Sequence, residues 1–305
     1  MNAVQASIII PTKDKLSRLR LVLQALEPQL TPAVELILVF DGCTPETLRG
    51  FEETELACSP IPIVLERNVG RSAARNRGLR RAQGEVILFL DDDRIPSPDF
   101  VARHLARHAS GDCVLLGERK NIIFPEDEID ALYRSGVVRT RLQEVIAGAT
   151  RDTAFNLLND WILSRPLHPI RWLPFFTGNA SVKRRFLEQI GSFDEAFTGW
   201  GYEDTDLGYR LSRLGLPFVR DPALMNYHLV HRFSASQVKG EELRNMRYLI
   251  GKFPEDAALR RTLTAINALR RFVVIKHFLN ERRYNQPRNR VRRPAGAAVP
   301  AQDSP

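Results

Sequence analysis

Within its first 93 residues the chain repeats one pattern. A short β-branched or aliphatic run ends on polar groups, and a segment with apolar residues at helical spacing follows. "ASIIIPT" leads into "KLSRLRLVLQALEPQL", "VELILVFDG" into "PETLRGFEETEL", and "IPIVLERN" into "GRSAARNRGLRRAQ", before "GEVILFLDDD" closes the series. Strand–helix alternation at this pitch predicts an α/β fold with a parallel, doubly wound sheet. In such sheets ligands sit at the carboxyl ends of the strands, near the point where strand order reverses. Three of those ends carry polar residues: Asp41, Asn68 and the run Asp91, Asp92, Asp93. One shared site is therefore expected.

The aspartates make that expectation chemical. In an extended strand end, residues two apart face the same side, so Asp91 and Asp93 are expected to converge while Asp92 faces away. Two convergent carboxylates form a hard-oxygen cation site, where Mg2+ or Mn2+ would offset their repulsion and hold a diphosphate. Read alone, the same residues are equally a polar turn at "DRIPSPD" with Asp as a helix cap.

The 305 residues suffice for one large domain or two modest ones. Apolar content of 44% and charged content of 26% are ordinary for a globular chain. A net charge of +8 points to an anionic partner: nucleic acid, an anionic membrane surface or a nucleotide. The excess is uneven, with six arginines and no acid between Arg282 and Arg293. After Tyr284 the Pro, Ala, Gly, Arg and Asn content predicts a disordered basic tail, an appendage able to touch an anionic membrane. No zinc-finger, helix-turn-helix or RNP pattern occurs, so nucleic acid is not the expected partner. Cys43, Cys58 and Cys113 are odd in number and lack metal-type spacing, which reads as reduced thiols. With no signal-peptide pattern and no 18-residue apolar run, the expectation is a cytoplasmic protein, at most peripheral to a membrane.

From Ser7 to Asp93 the chain resembles the nucleotide-binding half of the family 2 glycosyltransferases. The resemblance lies in "SIIIPTKD", "LVFDGCTPET", "RNVGRSAARNRGLRRAQGE" and "ILFLDDD". Phe40 and Cys43 replace the family's usual Asp and Ser, so only Asp41 carries over there. Residues 175 to 215, "FFTGNASVKRRFLEQIGSFDEAFTGWGYEDTDLGYRLSRLG", resemble the acceptor half of these enzymes and of the β-galactosyl and N-acetylgalactosaminyl transferases. In those a Gly-Trp-Gly turn precedes a Glu-Asp pair whose aspartate is the catalytic base. Without that turn, "EDTDLGYRL" would be only an acid-rich first helical turn favoured by the macrodipole.

The resemblance implies a GT-A (Rossmann-like) catalytic domain over residues 1–232, with a mostly parallel sheet. Residues 1–117 would be the nucleotide-sugar half and 118–232 the acceptor half. A C-terminal helical extension would follow at 233–284, with Leu259, Leu263, Ile266, Val273 and Ile275 on one stripe, and the tail at 285–305. Within 118–174, "NIIFPEDEIDALY" and "TAFNLLNDWILSRPLHPIRWLPF" are expected to be helical and loop-like, and nothing there carries over from the family.

The resemblance also assigns residues. Pro11, Thr12, Asp41, Asn68, Arg71, Arg75, Asp91 and Asp92 would bind the nucleotide sugar. Among these, Asp41 would accept the base N3–H with Arg75 nearby, and Asp91 would face the ribose or donor sugar. Asp93 and His228 would hold the metal, with His231 the second choice for the histidine. Asp204 and Glu203 would be the catalytic pair, with Asp204 the base; Trp200 and Gly201 would line the acceptor site, where Glu203 would also bind acceptor hydroxyls. Asp206, inside the same helix, is expected to tolerate Asn with near-normal turnover. The implied reaction is metal-dependent, inverting transfer from a UDP-sugar to a hydroxyl on a glycan, lipid-linked sugar, natural product or peptide. Two alternatives stand beside it. A sugar nucleotidyltransferase would need a Gly-rich loop that "SIIIPTKDKLSRLR" lacks, and a non-catalytic glycan- or polyanion-binding protein would not need Asp93, Asp204 and His228 together.

Overall fold

The computed structural model describes residues 3–151, 160–164, 169–231 and 235–268. Strands β1 (Ala6–Thr12), β2 (Val34–Asp41), β3 (Ile61–Leu65) and β4 (Val86–Leu90) alternate with helices α1 (Leu16–Leu26), α2 (Pro45–Glu52) and α3 (Arg71–Arg81). The four strands lie in the order β3-β2-β1-β4 and pair in parallel throughout. The doubly wound expectation holds, and the strand order reverses between β1 and β4.

The sheet then continues through β8 (Asn179–Lys183), β6 (Val114–Ile122), β9 (Phe218–Leu229) and β5 (Arg94–Pro96), with the short β7 (Thr150–Arg151) on β6. β8 is antiparallel to β4 and β6, whereas β6 and β9 are parallel over most of their length. Asn121 and Ile122, expected in a helix or loop, instead finish β6, because pairing with His228 and Leu229 satisfies their backbone. The helical pattern begins only at α5 (Glu126–Arg134), followed by α6 (Val137–Thr140) and α7 (Leu142–Ile146).

Both faces of the parallel half are covered. Along β1, Ile8 and Ile10 join one apolar cluster and Ile9 the other, all three without solvent exposure. Burial of each such side chain is worth about 1.5–3 kcal/mol. α3 approaches closely because Gly78 has no side chain; a Cβ there would lie 2.5 Å from Ile9 Cγ2. α4 (Phe100–Ala109), α8 (Arg184–Ile190), α9 (Glu203–Ser212) and α10 (Ala235–Lys252) complete the layers with a last helix, α11, spanning 257–268. Met246, Leu249, Leu259, Leu263 and Ile266 of these last helices are buried in the same cluster as Ile9 and Phe89. Val273, Ile275 and the basic tail lie outside the described residues. All three cysteines are free, and no described helix is long and apolar enough to cross a membrane.

Candidate active site

The reversal of strand order opens a crevice past Thr12 and Leu90, and the three aspartates lie at its rim. β4 ends at Leu90, so Asp91 to Asp93 follow in a turn and not in extended chain. Strict alternation therefore fails, and the expected pairing of Asp91 with Asp93 is corrected. Asp91 turns towards α3 and β5, accepting from Arg75 Nη2 at 3.1 Å and from Arg94 Nε at 3.0 Å. Burial would raise its pKa, but Arg94 and Arg75 outweigh that and hold it below the ordinary value. Asp92 turns back to β1, where it accepts from Thr12 Oγ1 at 2.8 Å. Burial and the neighbouring Asp93 push its carboxyl up to about 6, against the opposing pull of Lys15. The two residues that share a partner are Asp92 and Asp93, which both contact Lys15 Nζ, at 3.5 and 2.9 Å.

Asp93 also faces the two histidines. His231 Nε2 is 3.2 Å from Asp93 Oδ2, and ligand atoms of Asp93, His228 and His231 lie within 4.8 Å of one another. β9 and the residues after it bring both histidines, His228 and His231, within reach of Asp93. His228 Nδ1 lies 3.2 Å from the Asn121 carboxamide oxygen, an acceptor, so Nδ1 carries the proton and Nε2 keeps a lone pair. Burial and Arg94 push the imidazole down to about 3, leaving it neutral.

Glu203 and Asp204 open α9, whose entry is a tight loop with Gly199, Gly201 and Tyr202 at φ +73°, +91° and +71°. Glycine adopts this region freely, whereas Tyr202 does so at a cost, offset by its burial. Asp204 accepts from Thr177 N–H at 3.0 Å and from Thr177 Oγ1. Its carboxyl is pushed up to about 7, first by burial and then by Glu203, against the opposing pull of Arg75. Arg75, expected from sequence near the nucleobase, has its guanidinium among Asp91, Glu203 and Asp204, with the last two 3.6 and 3.7 Å away. It joins the two halves of the site. Arg71 reaches Glu203 at 3.8 Å from the rim.

The remaining assigned residues are farther out. Asp41 is buried and accepts from the backbone N–H groups of Val69 and Gly70 at 2.7 and 3.0 Å. Asn68 is exposed and accepts from Gly70 N–H. Pro11 precedes Thr12 at the end of β1. Trp200 is 38% exposed, high for so large an apolar side chain. Asp206 is fully buried and bonded to Arg210 and Lys252, a structural role its place in the helix did not signal. Sequence reasoning missed Lys15, Arg94, Thr177 and Asn121. Lys15 and Arg94 were signalled as charges beside strand ends, whereas nothing local marked Thr177 or Asn121.

The model of the family described as "Glycosyl transferase family 2" matches residues 7–161, and "N-terminal domain of galactosyltransferase" matches residues 163–234. The chain is 28% identical over 279 residues to the uncharacterized glycosyltransferase YfnE of Bacillus subtilis, covering 82% of this chain and 71% of that protein. It is 31% identical over 232 residues to validoxylamine A glucosyltransferase of Streptomyces hygroscopicus subsp. jinggangensis, covering 70% of this chain and 52% of that enzyme. The chain thus spans about half the length of the latter relative. A crystal structure of GalNAc-T7 with UDP, GalNAc and Mn2+ superposes with a TM-score of 0.58 at 17% identity, over 82% of this chain and 48% of that one. At that identity the likeness speaks for the fold. Doubly wound strands, crevice and family matches agree: this chain belongs to glycosyltransferase family 2 and is a glycosyltransferase of the GT-A fold.

Proposed function

We propose that the chain moves a sugar from a nucleotide diphosphate sugar, a UDP-sugar, to an acceptor hydroxyl with inversion, assisted by Mn2+ or Mg2+. The observation that carries this reading is the convergence of Asp93, His228 and His231 at one end of a cluster whose other end, across Asp91 and Arg75, is Asp204. One carboxylate and two imidazole nitrogens suit a divalent ion of Mn2+ type. When bound there, that ion would neutralise charge developing on the departing diphosphate. GalNAc-T7, of the same fold, has been crystallised with UDP and Mn2+, which supports the donor class by analogy.

The protein groups then divide the work. Asp204, held by Thr177, takes the proton from the acceptor hydroxyl as its oxygen bonds to the anomeric carbon. The bond from that carbon to the diphosphate oxygen breaks on the opposite face, releasing the nucleotide. Trp200 offers an exposed apolar face for a sugar ring, and Glu203 hydrogen-bonds its hydroxyls. Asp41 keeps a second lone pair on each oxygen for a base N–H. Asn68 and Arg71 flank the nucleotide from the rim.

A panel of UDP-, GDP- and TDP-sugars, assayed for donor hydrolysis with Mn2+ and with EDTA, tests the reading. UDP-sugar hydrolysis that needs the metal is expected, as is UDP binding at least about tenfold tighter with Mn2+. Asp93→Asn should abolish that enhancement, while Asp92→Asn keeps it. Equal binding in EDTA would remove the metal, and preference for GDP would change the donor.

A further inference from the structure

Lys15 stands just before α1 and sends its ammonium into the candidate metal site. Nζ lies 2.9 Å from Asp93 Oδ2 and 3.3 Å from His231 Nε2, while that nitrogen lies 3.2 Å from the same Asp93 oxygen. These three atoms form a closed triangle. An imidazole nitrogen carries either one hydrogen or one lone pair. With a hydrogen, His231 Nε2 donates to Asp93 but confronts the ammonium hydrogens. With a lone pair, it accepts from Lys15 but confronts the carboxylate oxygen. Three hydrogen bonds cannot coexist; Asp93 Oδ2 and, in its lone-pair tautomer, His231 Nε2 are two acceptors for one cation. Asp92 Oδ1, at 3.5 Å, faces the same ammonium.

We propose that Lys15 is the resident cation of this site, holding Asp92, Asp93 and His231 in place until a divalent ion displaces it. The proposal rests on the metal reading above. A divalent ion on the Asp93 oxygen and the His231 nitrogen would meet the ammonium at close range, and their repulsion drives the lysine side chain outward. The side chain is free to leave: it is 33% exposed, and its flexible four-carbon stem can carry the ammonium outward to water. The site is thus kept open and aligned without metal, at the cost of weaker metal binding.

Mn2+ binding followed by electron paramagnetic resonance, together with thermal melts, tests this on wild type, Lys15→Met, Lys15→Gln and Asp93→Asn. Both Lys15 variants should bind Mn2+ at least tenfold more tightly than wild type. Without metal they should melt lower, and Mn2+ should raise their melting temperature more than that of wild type. A purely structural lysine would lower the melt and leave Mn2+ affinity unchanged. Equal or weaker Mn2+ binding by the Lys15 variants, with Asp93→Asn binding none, overturns the proposal and leaves the metal reading standing. No Mn2+ binding at millimolar concentration by any of the four overturns both.

Discussion

Arg75 Nη1 lies 3.7 Å from Asp204 Oδ1, too far for a hydrogen bond and close enough for a strong charge interaction. Buried on α3 and without a hydrogen-bond partner at that nitrogen, the guanidinium opposes the burial and the Glu203 charge that push Asp204 up to about 7. Glu203, Asp91, Arg75 and Thr177 are the groups that set this balance.

If Asp204 is the base, activity follows its ionised fraction. Turnover should rise about tenfold per pH unit below 7 and level off above about 8. Asp204→Asn should lower turnover by roughly 10² to 10⁴ and leave donor affinity within about twofold. Arg75→Met removes the positive charge that pulls Asp204 down, so its rise with pH should shift to the alkaline side. A flat profile in wild type, or near-normal turnover in Asp204→Asn, moves the base elsewhere.

Asp206 is two residues on, and its variant should behave differently. Its carboxylate is fully buried between Arg210 at 2.6 Å and Lys252 at 2.8 Å, tying α9 to α10. Asp206→Asn takes the carboxylate from Arg210 and leaves Lys252 with Asp194 alone, and denaturant unfolding should show a loss of about 3 kcal/mol or more. The folded fraction should keep turnover within a few-fold. A stability change below about 1 kcal/mol would mean the pairing is dispensable.

His104 and His108 on α4 share the hydroxyl of Ser181, at 2.7 and 2.8 Å. Burial is the main cause that pushes them down to about 3 and about 4. An unfolded chain takes up these protons below pH 6.5, whereas the folded one refuses them until about 4. Stability is therefore fully present above 6.5 and is lost as pH falls towards 4, by up to about 1.4 kcal/mol per unit for each histidine. Unfolding curves at pH 7 and pH 5 should differ accordingly, and His108→Gln should shrink the difference. An unchanged difference would assign the acid sensitivity to other groups.

The parallel half of the fold was legible because both of its periodicities are local: apolar runs such as "SIIIP" and leucines at helical spacing in α1. The antiparallel half was not. β6 and β9 are completed by each other across more than a hundred residues, so Asn121 gives no local sign of ending a strand beside His228. Among the site residues, the aspartates and the "GWGYED" block stood out by composition. Their directions did not, because the chain leaves extended geometry at Asp91, where the period of two stops applying. Lys15 and Thr177 matter only through what they touch, and contact across 78 or 27 residues leaves no trace in the spacing.

The loop carrying Trp200, proposed above to meet the acceptor, is held from outside, by α10. Asn245 Nδ2 donates to the carbonyls of Thr198 at 3.0 Å and Gly201 at 2.9 Å, with Trp200 O at 3.3 Å. Glu241 Oε2 accepts from Trp200 N–H at 2.9 Å. A loop with three positive-φ residues has little regular structure to hold it, so these side chains take the place of a ladder. Asn245 is itself buried, so Asn245→Ala strands carbonyls that water cannot readily reach, at a cost of about 1–3 kcal/mol. That cost falls on Trp200 and Gly201, not on the aspartates across the crevice. The expected result is an acceptor KM raised about tenfold, with UDP affinity within twofold of wild type. Asn245→Asp should be worse, because it sets a carboxylate against carbonyl oxygens. Equal losses in donor and acceptor binding would show a general loosening of the fold and would remove Trp200 from the acceptor site.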